Sequence, residues 1–332
     1  MDGNAPIAVV FGGSGFLGRY IVKRLADRGW RVRVATRRPH EAGFVRPYGY
    51  VGQVEPFQCN LRYPESVAAM MLGADAVVNC VGILNSFGKN DFESVQEEGA
   101  ATIAELASKA GITRMVHVSA IGADAESESI YAQTKASGEA AVQKYMPSAV
   151  ILRPSILFGA EDGFFNKFAG MARMMPVLPV TAADTKFQPV YVDDVAAAAV
   201  NAIIDGAKPG IYELGGPEIK SFRELMEQML DVIMLKRPVI NMPTGLMKIQ
   251  AGVLDMAQKL SFGLFENTMI TRDQITLLNS GDNVVAADMP GLTDLGVSPV
   301  AMETVLESYL YRFRKEGQYT EMTQSAKNLR QN

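Results

Sequence analysis

The stretch Val9-Val10-Phe11-Gly12-Gly13-Ser14-Gly15-Phe16-Leu17-Gly18 constrains this chain more than any other part of it. An apolar run passes directly into glycines at positions 12, 15 and 18, and an amphipathic pattern with Ile21, Val22 and Leu25 on one face follows at once. That order predicts strand, tight turn and helix. Glycine is needed where the backbone takes angles closed to other residues and where main chain must come close to a ligand's phosphates. The helix start then offers free N–H groups and a partial positive charge to an anion. Gly12, Ser14, Gly15, Phe16, Leu17 and Gly18 are therefore the expected contacts to a pyrophosphate. A glycine triplet alone is a weak signal; its place at the first strand-to-helix turn makes it specific.

The next strand reads Trp30-Arg31-Val32-Arg33-Val34-Ala35-Thr36-Arg37-Arg38-Pro39. A site for NAD(H) usually ends this strand with an acidic residue that bonds the ribose 2′-hydroxyl. Here Thr36, Arg37 and Arg38 stand in its place, and guanidinium groups suit a 2′-phosphate in geometry and charge. NADP(H) is thus the expected cofactor, with Arg37 as main ligand and Arg38 as second. The alternative is that both arginines are solvated loop residues.

Apolar runs alternate with helical patterns through the first half. Strands are expected at Ile7–Phe11, Arg31–Ala35, Val54–Gln58, Ala76–Asn79, Met115–Ser119 and Val150–Leu152, with helices including Pro64–Leu72, Phe92–Ala110 and Tyr131–Tyr145. This alternation implies an α/β fold with a doubly wound, Rossmann-type parallel sheet, whose ligands bind beyond the carboxyl ends of the strands. The rhythm breaks after Pro154. Helices are expected at Phe164–Met175, at Asp193–Ile204 with Asp193 as N-cap, and at Ser221–Val232 with a Ser221/Glu224 capping box; short strands are expected at Phe187–Tyr191 and Ile211–Leu214. The expected division is a nucleotide-binding core over 1–160, completed by elements near 187–214, a smaller C-terminal α/β lobe over 161–313 facing substrate or partner, and a polar tail over 314–332.

The chain has 332 residues and is 48% hydrophobic, enough to bury a large core in one or two domains. Its net charge of −4, with no basic block, argues against a nucleic-acid partner. Cys59 and Cys80 lack metal-ligand spacing, and His40 and His117 are the only histidines. No metal is expected, a Ser-His-Asp triad is improbable, and the cysteines suit a reducing compartment. Asp2 and the first strand leave no room for a signal peptide, and no apolar run reaches the length of a membrane span.

These motifs, with further ones downstream, resemble the short-chain dehydrogenase/reductase superfamily in its extended or atypical branch. The further pieces are Asn79-Cys80-Val81-Gly82, Val116-His117-Val118-Ser119, Tyr131-Ala132-Gln133-Thr134-Lys135 and Leu152-Arg153-Pro154-Ser155-Ile156-Leu157-Phe158-Gly159. Phe187-Gln188-Pro189-Val190-Tyr191-Val192-Asp193-Asp194-Val195 and Leu295-Gly296-Val297-Ser298-Pro299 resemble one subgroup, the NADPH-binding accessory subunits of respiratory complex I and their bacterial relatives. The resemblance implies cofactor contacts from Asn60, Leu61, Cys80, Val81, Gly82, Pro154, Ser155 and Ile156, and from Tyr131 and Lys135 at the nicotinamide end. Asn60-Leu61-Arg62 stands where extended members often carry Asp, and Gln96 where an Asn is common.

Tyr131 and Lys135, four apart, share a helix face. An ammonium beside a phenol favours phenolate and lowers its pKa, so Tyr131 would exchange a proton with a carbonyl or alcohol while Ser119 holds the substrate oxygen. The alternative is an ordinary Tyr and Lys at a helix start.

Thr244–Phe265 has a broad apolar face, including Leu246, Val253 and Leu260, flanked by Lys248 and Lys259. It reads as a docking surface for a membrane-bound partner or for lipid, joined by the methionine-rich Met171–Met175, or else as a helix packed on its own lobe. Three functions remain open. One is a complex I accessory subunit with NADPH in a structural or regulatory role. Another is a free-standing NADPH-dependent oxidoreductase or epimerase with a Ser119-Tyr131-Lys135 site and a small or isoprenoid-like substrate. The third is a redox sensor whose NADPH occupancy controls partner binding. The first implies a cytoplasmic protein on the inner membrane of a bacterium, or the matrix side of a mitochondrion.

Overall fold

The computed structural model describes residues 5–86, 88, 90–243, 245 and 271–319. The elements in chain order are β1 (Ile7–Phe11), α1 (Phe16–Asp27), β2 (Arg31–Thr36), β3 (Val54–Gln58), α2 (Pro64–Met71), β4 (Ala76–Asn79), α3 (Glu98–Lys109), β5 (Arg114–Val118), α4 (Ile130–Tyr145) and β6 (Val150–Pro154). Then come β7 (Leu157–Phe158), α5 (Phe165–Met174), β8 (Leu178–Val180), β9 (Lys186–Phe187), β10 (Val190–Tyr191), α6 (Val192–Asn201), β11 (Gly210–Leu214), β12 (Lys220–Ser221), α7 (Phe222–Val232), β13 (Val239–Asn241), α8 (Arg272–Asn279) and α9 (Met302–Leu310).

Two compact units share the chain. The first takes Met1–Ser155, Val192–Gly215 and Val285–Pro299; the second takes Ile156–Tyr191, Gly216–Val284 and Val300–Asn332. The first unit is a seven-stranded parallel sheet in the order β11-β6-β5-β4-β1-β2-β3. Strand β1 is apolar throughout, and β4 is apolar up to Asn79, because helices cover both sheet faces. On one face Val9, Phe11, Val77 and Ile151 pack with Val67, Ile103, Ala104 and Val142 of α2, α3 and α4. The α1 and α6 helices pack together, and Arg24 of α1 grips Asp193 of α6 through two bonds of 2.6 and 2.9 Å. The order reverses between β1 and β4, and the crevice at such a point is where doubly wound sheets bind ligands.

The second unit is a smaller α/β lobe with short strand pairs β10–β7, β12–β9 and β13–β8. Its core gathers Phe158, Phe165, Phe187 and Phe222 with Leu225, Met229, Leu306 and Leu310. The Ser221/Glu224 capping box forms at the start of α7.

Several local expectations are corrected. Helix α6 starts at Val192, so Asp193 lies inside its first turn and pairs with Arg24 instead of capping. The helix expected over Phe92–Ala110 opens with a π turn at Glu93–Glu97, and α6 ends in another at Ala202–Gly206. The strand expected at Phe187–Tyr191 splits into β9 and β10 around Pro189, whose ring nitrogen has no proton for a ladder. Met171 packs against the lobe's core while Met174 is 81% exposed. The segment Thr244–Phe265 lies outside the described residues, Gly245 apart.

Candidate dinucleotide cleft and its buried polar flank

The β1–α1 turn is built for close approach. Gly12 has φ +75°, a left-handed conformation that side chains rarely adopt, and a Cβ there would meet the Cys80 carbonyl at 3.1 Å. A Cβ on Gly18 would collide with the Gly12 carbonyl oxygen, so the first turn of α1 fits against the loop only without a side chain. The Gly15 N–H donates to the Gly12 carbonyl at 2.9 Å, and Gly15 is the N-cap of α1.

Beyond this turn lies a cleft of about 260 Å³ at the carboxyl ends of β1 to β4. Gly12, Ser14 and Gly15 form one wall. Thr36 and Arg37 follow β2, Asn60, Leu61 and Arg62 follow β3, and Cys80, Val81 and Gly82 follow β4. The structure therefore brings together ten of the expected cofactor contacts, and it adds Arg62 and Asn90. Phe16, Leu17 and Gly18 lie in the first turn of α1, behind the glycine wall. The shape fits a pyrophosphate-containing nucleotide, since main chain fills the places where Cβ atoms would otherwise stand.

The two arginines after β2 diverge. The Arg38 N–H donates to the Thr36 hydroxyl at 3.3 Å, and the Arg38 side chain reaches Glu41 at 3.1 Å on the exposed surface. Arg37 turns into the cleft and donates to Asn90 Oδ1 at 3.0 Å.

The expected catalytic trio stands on β5 and α4. Ser119 follows β5 and is buried, with a hydroxyl that has no hydrogen-bond partner. Ser129 caps α4 by accepting from the Ala132 N–H. Tyr131 stacks edge-on against Phe92, with centroids 5.9 Å apart. Lys135 is buried, donates to the Val118 carbonyl at 3.2 Å, and would lie 3.4 Å from a Cβ on Gly82. Its ammonium thus reaches the β4 exit that lines the cleft.

Electrostatics there depart from expectation. Lys135 does not lower the Tyr131 pKa; burial pushes the phenol up to about 12. Lys135 is itself held down to about 8 by burial, against the pull of Glu139. The Lys135 ammonium lies 6.0 Å from the centre of the Tyr131 ring. His117, also buried, is pushed down to about 3 by burial and by Lys135. The Asn79 carbonyl oxygen accepts the Val81 N–H, so its amide nitrogen donates to His117 Nδ1 at 3.1 Å. That bond places the ring proton of the neutral histidine on Nε2.

Gln96, in the π turn, ties this flank to the cleft. Its amide donates to the Ile83 carbonyl at 2.7 Å and accepts from the Thr134 hydroxyl at 3.4 Å. Pro154 closes β6 beside Leu214, and the Ser155 N–H donates to the Leu214 carbonyl at 2.9 Å. Ile156 is the first residue of the second unit. Among the described residues no cluster of His, Cys, Asp and Glu could hold a metal ion.

The sequence similarities agree with this geometry. The chain is 35% identical over 317 residues to the mitochondrial NADH dehydrogenase [ubiquinone] 1 alpha subcomplex subunit 9 of Arabidopsis thaliana, covering 94% of this chain and 79% of that protein. It is 34% identical over 194 residues to a ceramide reductase of Caulobacter vibrioides, covering 58% of this chain and 60% of that one. The crystal structure of gox2253 superposes with a TM-score of 0.70 at 20% identity, over 94% of this chain and 99% of that one, and shows the same fold. Residues 8–215, the stretch carrying all seven strands of the sheet, match the NAD dependent epimerase/dehydratase family, and the chain belongs to that family.

Proposed function

We propose that this protein holds NADP(H) in the β1–β4 cleft and serves as an accessory subunit of respiratory complex I, with the nucleotide in a structural or regulatory role. The observation that carries the reading is the 35% identity, over 94% of this chain, to a complex I alpha subcomplex subunit. Gly12, Ser14 and Gly15 would hold the pyrophosphate, with α1 presenting its N-terminal amides. Arg37 would hold the 2′-phosphate, Asn60 and Leu61 would flank the adenosine half, and Cys80, Val81, Gly82, Tyr131, Lys135, Pro154 and Ser155 the nicotinamide half. The bound nucleotide supplies hydride chemistry and, by mass action, stability to the fold that binds it. Among the described residues no helix is long and apolar enough to cross a membrane. The protein would therefore sit peripherally on the inner membrane, on the cytoplasmic face in a bacterium or the matrix face in a mitochondrion. Lipid contact through 244–265 is part of this proposal.

The test is mild-detergent extraction of membranes carrying the tagged full-length chain. Co-migration with NADH:quinone oxidoreductase activity is expected, and a chain recovered wholly apart from it overturns the reading. A second reading, an NADPH-dependent reductase, is favoured by the complete Ser119-Tyr131-Lys135 set and the unpartnered Ser119 hydroxyl. Its signature is carbonyl reduction that Tyr131→Phe abolishes while NADPH stays bound. On the accessory-subunit reading, no carbonyl substrate consumes NADPH and Tyr131→Phe leaves assembly intact.

A further inference from the structure

We propose that Arg62 is the second arm of a 2′-phosphate clamp whose first arm is Arg37, and that this pair, with Asn90 as its displaceable occupant, selects NADP(H) over NAD(H). The inference rests on the reading of the cleft as a dinucleotide site. Its ground is a convergence of positive charge. Arg37 Nη1 lies 3.0 Å and Arg62 Nη2 3.5 Å from the same atom, Asn90 Oδ1. All three residues line the cleft. Two guanidiniums on one neutral amide oxygen repel each other with no full negative charge to compensate. Among the described residues neither has a carboxylate within ion-pairing distance, in contrast to Arg38 on Glu41. Asp91 feels the field of Arg62, but its carboxylate accepts the Ser94 N–H at 2.7 Å. A phosphate offers what Asn90 lacks, a charge of nearly −2 and several acceptor oxygens.

The backbone presents Arg62 deliberately. The strands β2 and β3 are parallel neighbours, and the Cys59 N–H continues their ladder to the Thr36 carbonyl at 2.9 Å. Both arginines therefore leave adjacent strand ends. Asn60 Oδ1 accepts the Arg62 N–H at 3.2 Å, and the Ser66 hydroxyl both accepts the Asn60 N–H at 3.1 Å and donates to the Asn60 carbonyl at 2.9 Å. These bonds lock the turn that aims Arg62. An acidic residue at 60 would add a negative charge at the root of the clamp; the neutral Asn60 keeps the same turn bond without it.

The experiment titrates the full-length chain with NADPH and NADH, and with 2′,5′-ADP and 5′-AMP as short probes. Arg62→Ala should weaken NADPH and 2′,5′-ADP about 10-fold, leave NADH and 5′-AMP within about twofold, and flatten the salt dependence of NADPH binding. Arg62→Lys should recover only part of the affinity, because an ammonium cannot make the forked contact. Equal losses for both nucleotides, or no loss for either, overturn the clamp while leaving the dinucleotide reading in place. Wild-type protein that binds neither nucleotide overturns both. Because Arg62 is exposed, an unchanged melting temperature for Arg62→Ala is expected and assigns any loss to binding.

Discussion

Along β1 to β3 the candidate cleft of the first unit is lined by glycines, by a helix start without a side-chain cap, and by arginines on exposed turns. Along β5, β6 and β11 the same sheet ends instead in buried charge. Arg153 of β6 holds Glu139 of α4 through two bonds of 2.9 and 2.6 Å, and lies 3.6 Å from Glu213 of β11. Lys135 and the neutral His117 stand nearby. The first flank is open because side-chain volume is missing, and its fold should tolerate changes of charge better than additions of bulk. The second works because desolvated charges balance, and it should tolerate changes of shape better than loss of one partner.

The largest test of that contrast is Glu139→Gln. It leaves Arg153 with only the more distant Glu213, and unpairing a buried charge costs about 3–5 kcal/mol. Urea unfolding should show a loss near the lower end of that range; a loss below about 1 kcal/mol would mean that water already relieves the network. Gly18→Ala probes the other flank. Forcing a methyl against the Gly12 carbonyl should cost about 1–3 kcal/mol, as overpacking does, and should abolish nucleotide binding. A stable Gly18→Ala protein with full affinity would show that the loop adapts, and the contrast would fail on that side.

The smallest effect is one of pH. In the folded protein His117 stays neutral down to about pH 3, whereas the unfolded chain takes up its proton near 6.5. The unfolded state therefore binds the extra proton as pH falls from 6.5 towards 3, and folded stability falls with it. Between pH 6.5 and 5 this single group contributes about 1–2 kcal/mol of that loss. His117→Gln should lose correspondingly less over the same interval in paired urea melts. Parallel curves for the two proteins would show that His117 does protonate in place.

Legibility from sequence follows the same division. The main-chain flank announces itself, because Gly12, Gly15 and Gly18 at a strand-to-helix turn have few other uses, and the strands of the sheet fall within a residue or two of their apolar runs. Arg62 was visible only as a departure at the end of β3, since its convergence with Arg37 depends on which strands are neighbours. Arg37 and Arg38 diverge because their side chains meet different partners, Asn90 and Glu41, which the strand pattern does not show. Glu139 and Arg153 come from different elements, so no spacing rule joins them. The Tyr131-Lys135 spacing correctly gives a shared helix face, but spacing says nothing of how deeply the phenol is buried, and burial decides its pKa. The π turns were hidden because their composition is that of an ordinary helix.

The position of β11 has a bearing on how the chain is made. This strand closes the sheet beside β6, yet it is separated from it in sequence by all of Ile156–Tyr191, which belongs to the other unit. At roughly 5–20 residues per second of synthesis, β6 waits several seconds with its hydrogen-bonding edge open, a template for pairing with other nascent chains. Even β11 is not the final cover: its Glu213 N–H donates to the Pro290 carbonyl at 3.0 Å, and its carboxylate accepts the Ala286 N–H at 2.9 Å. The sheet is sealed only when the segment Val285–Pro299 emerges, so a ribosome stalled before that point displays an unfinished and adhesive edge to the cell.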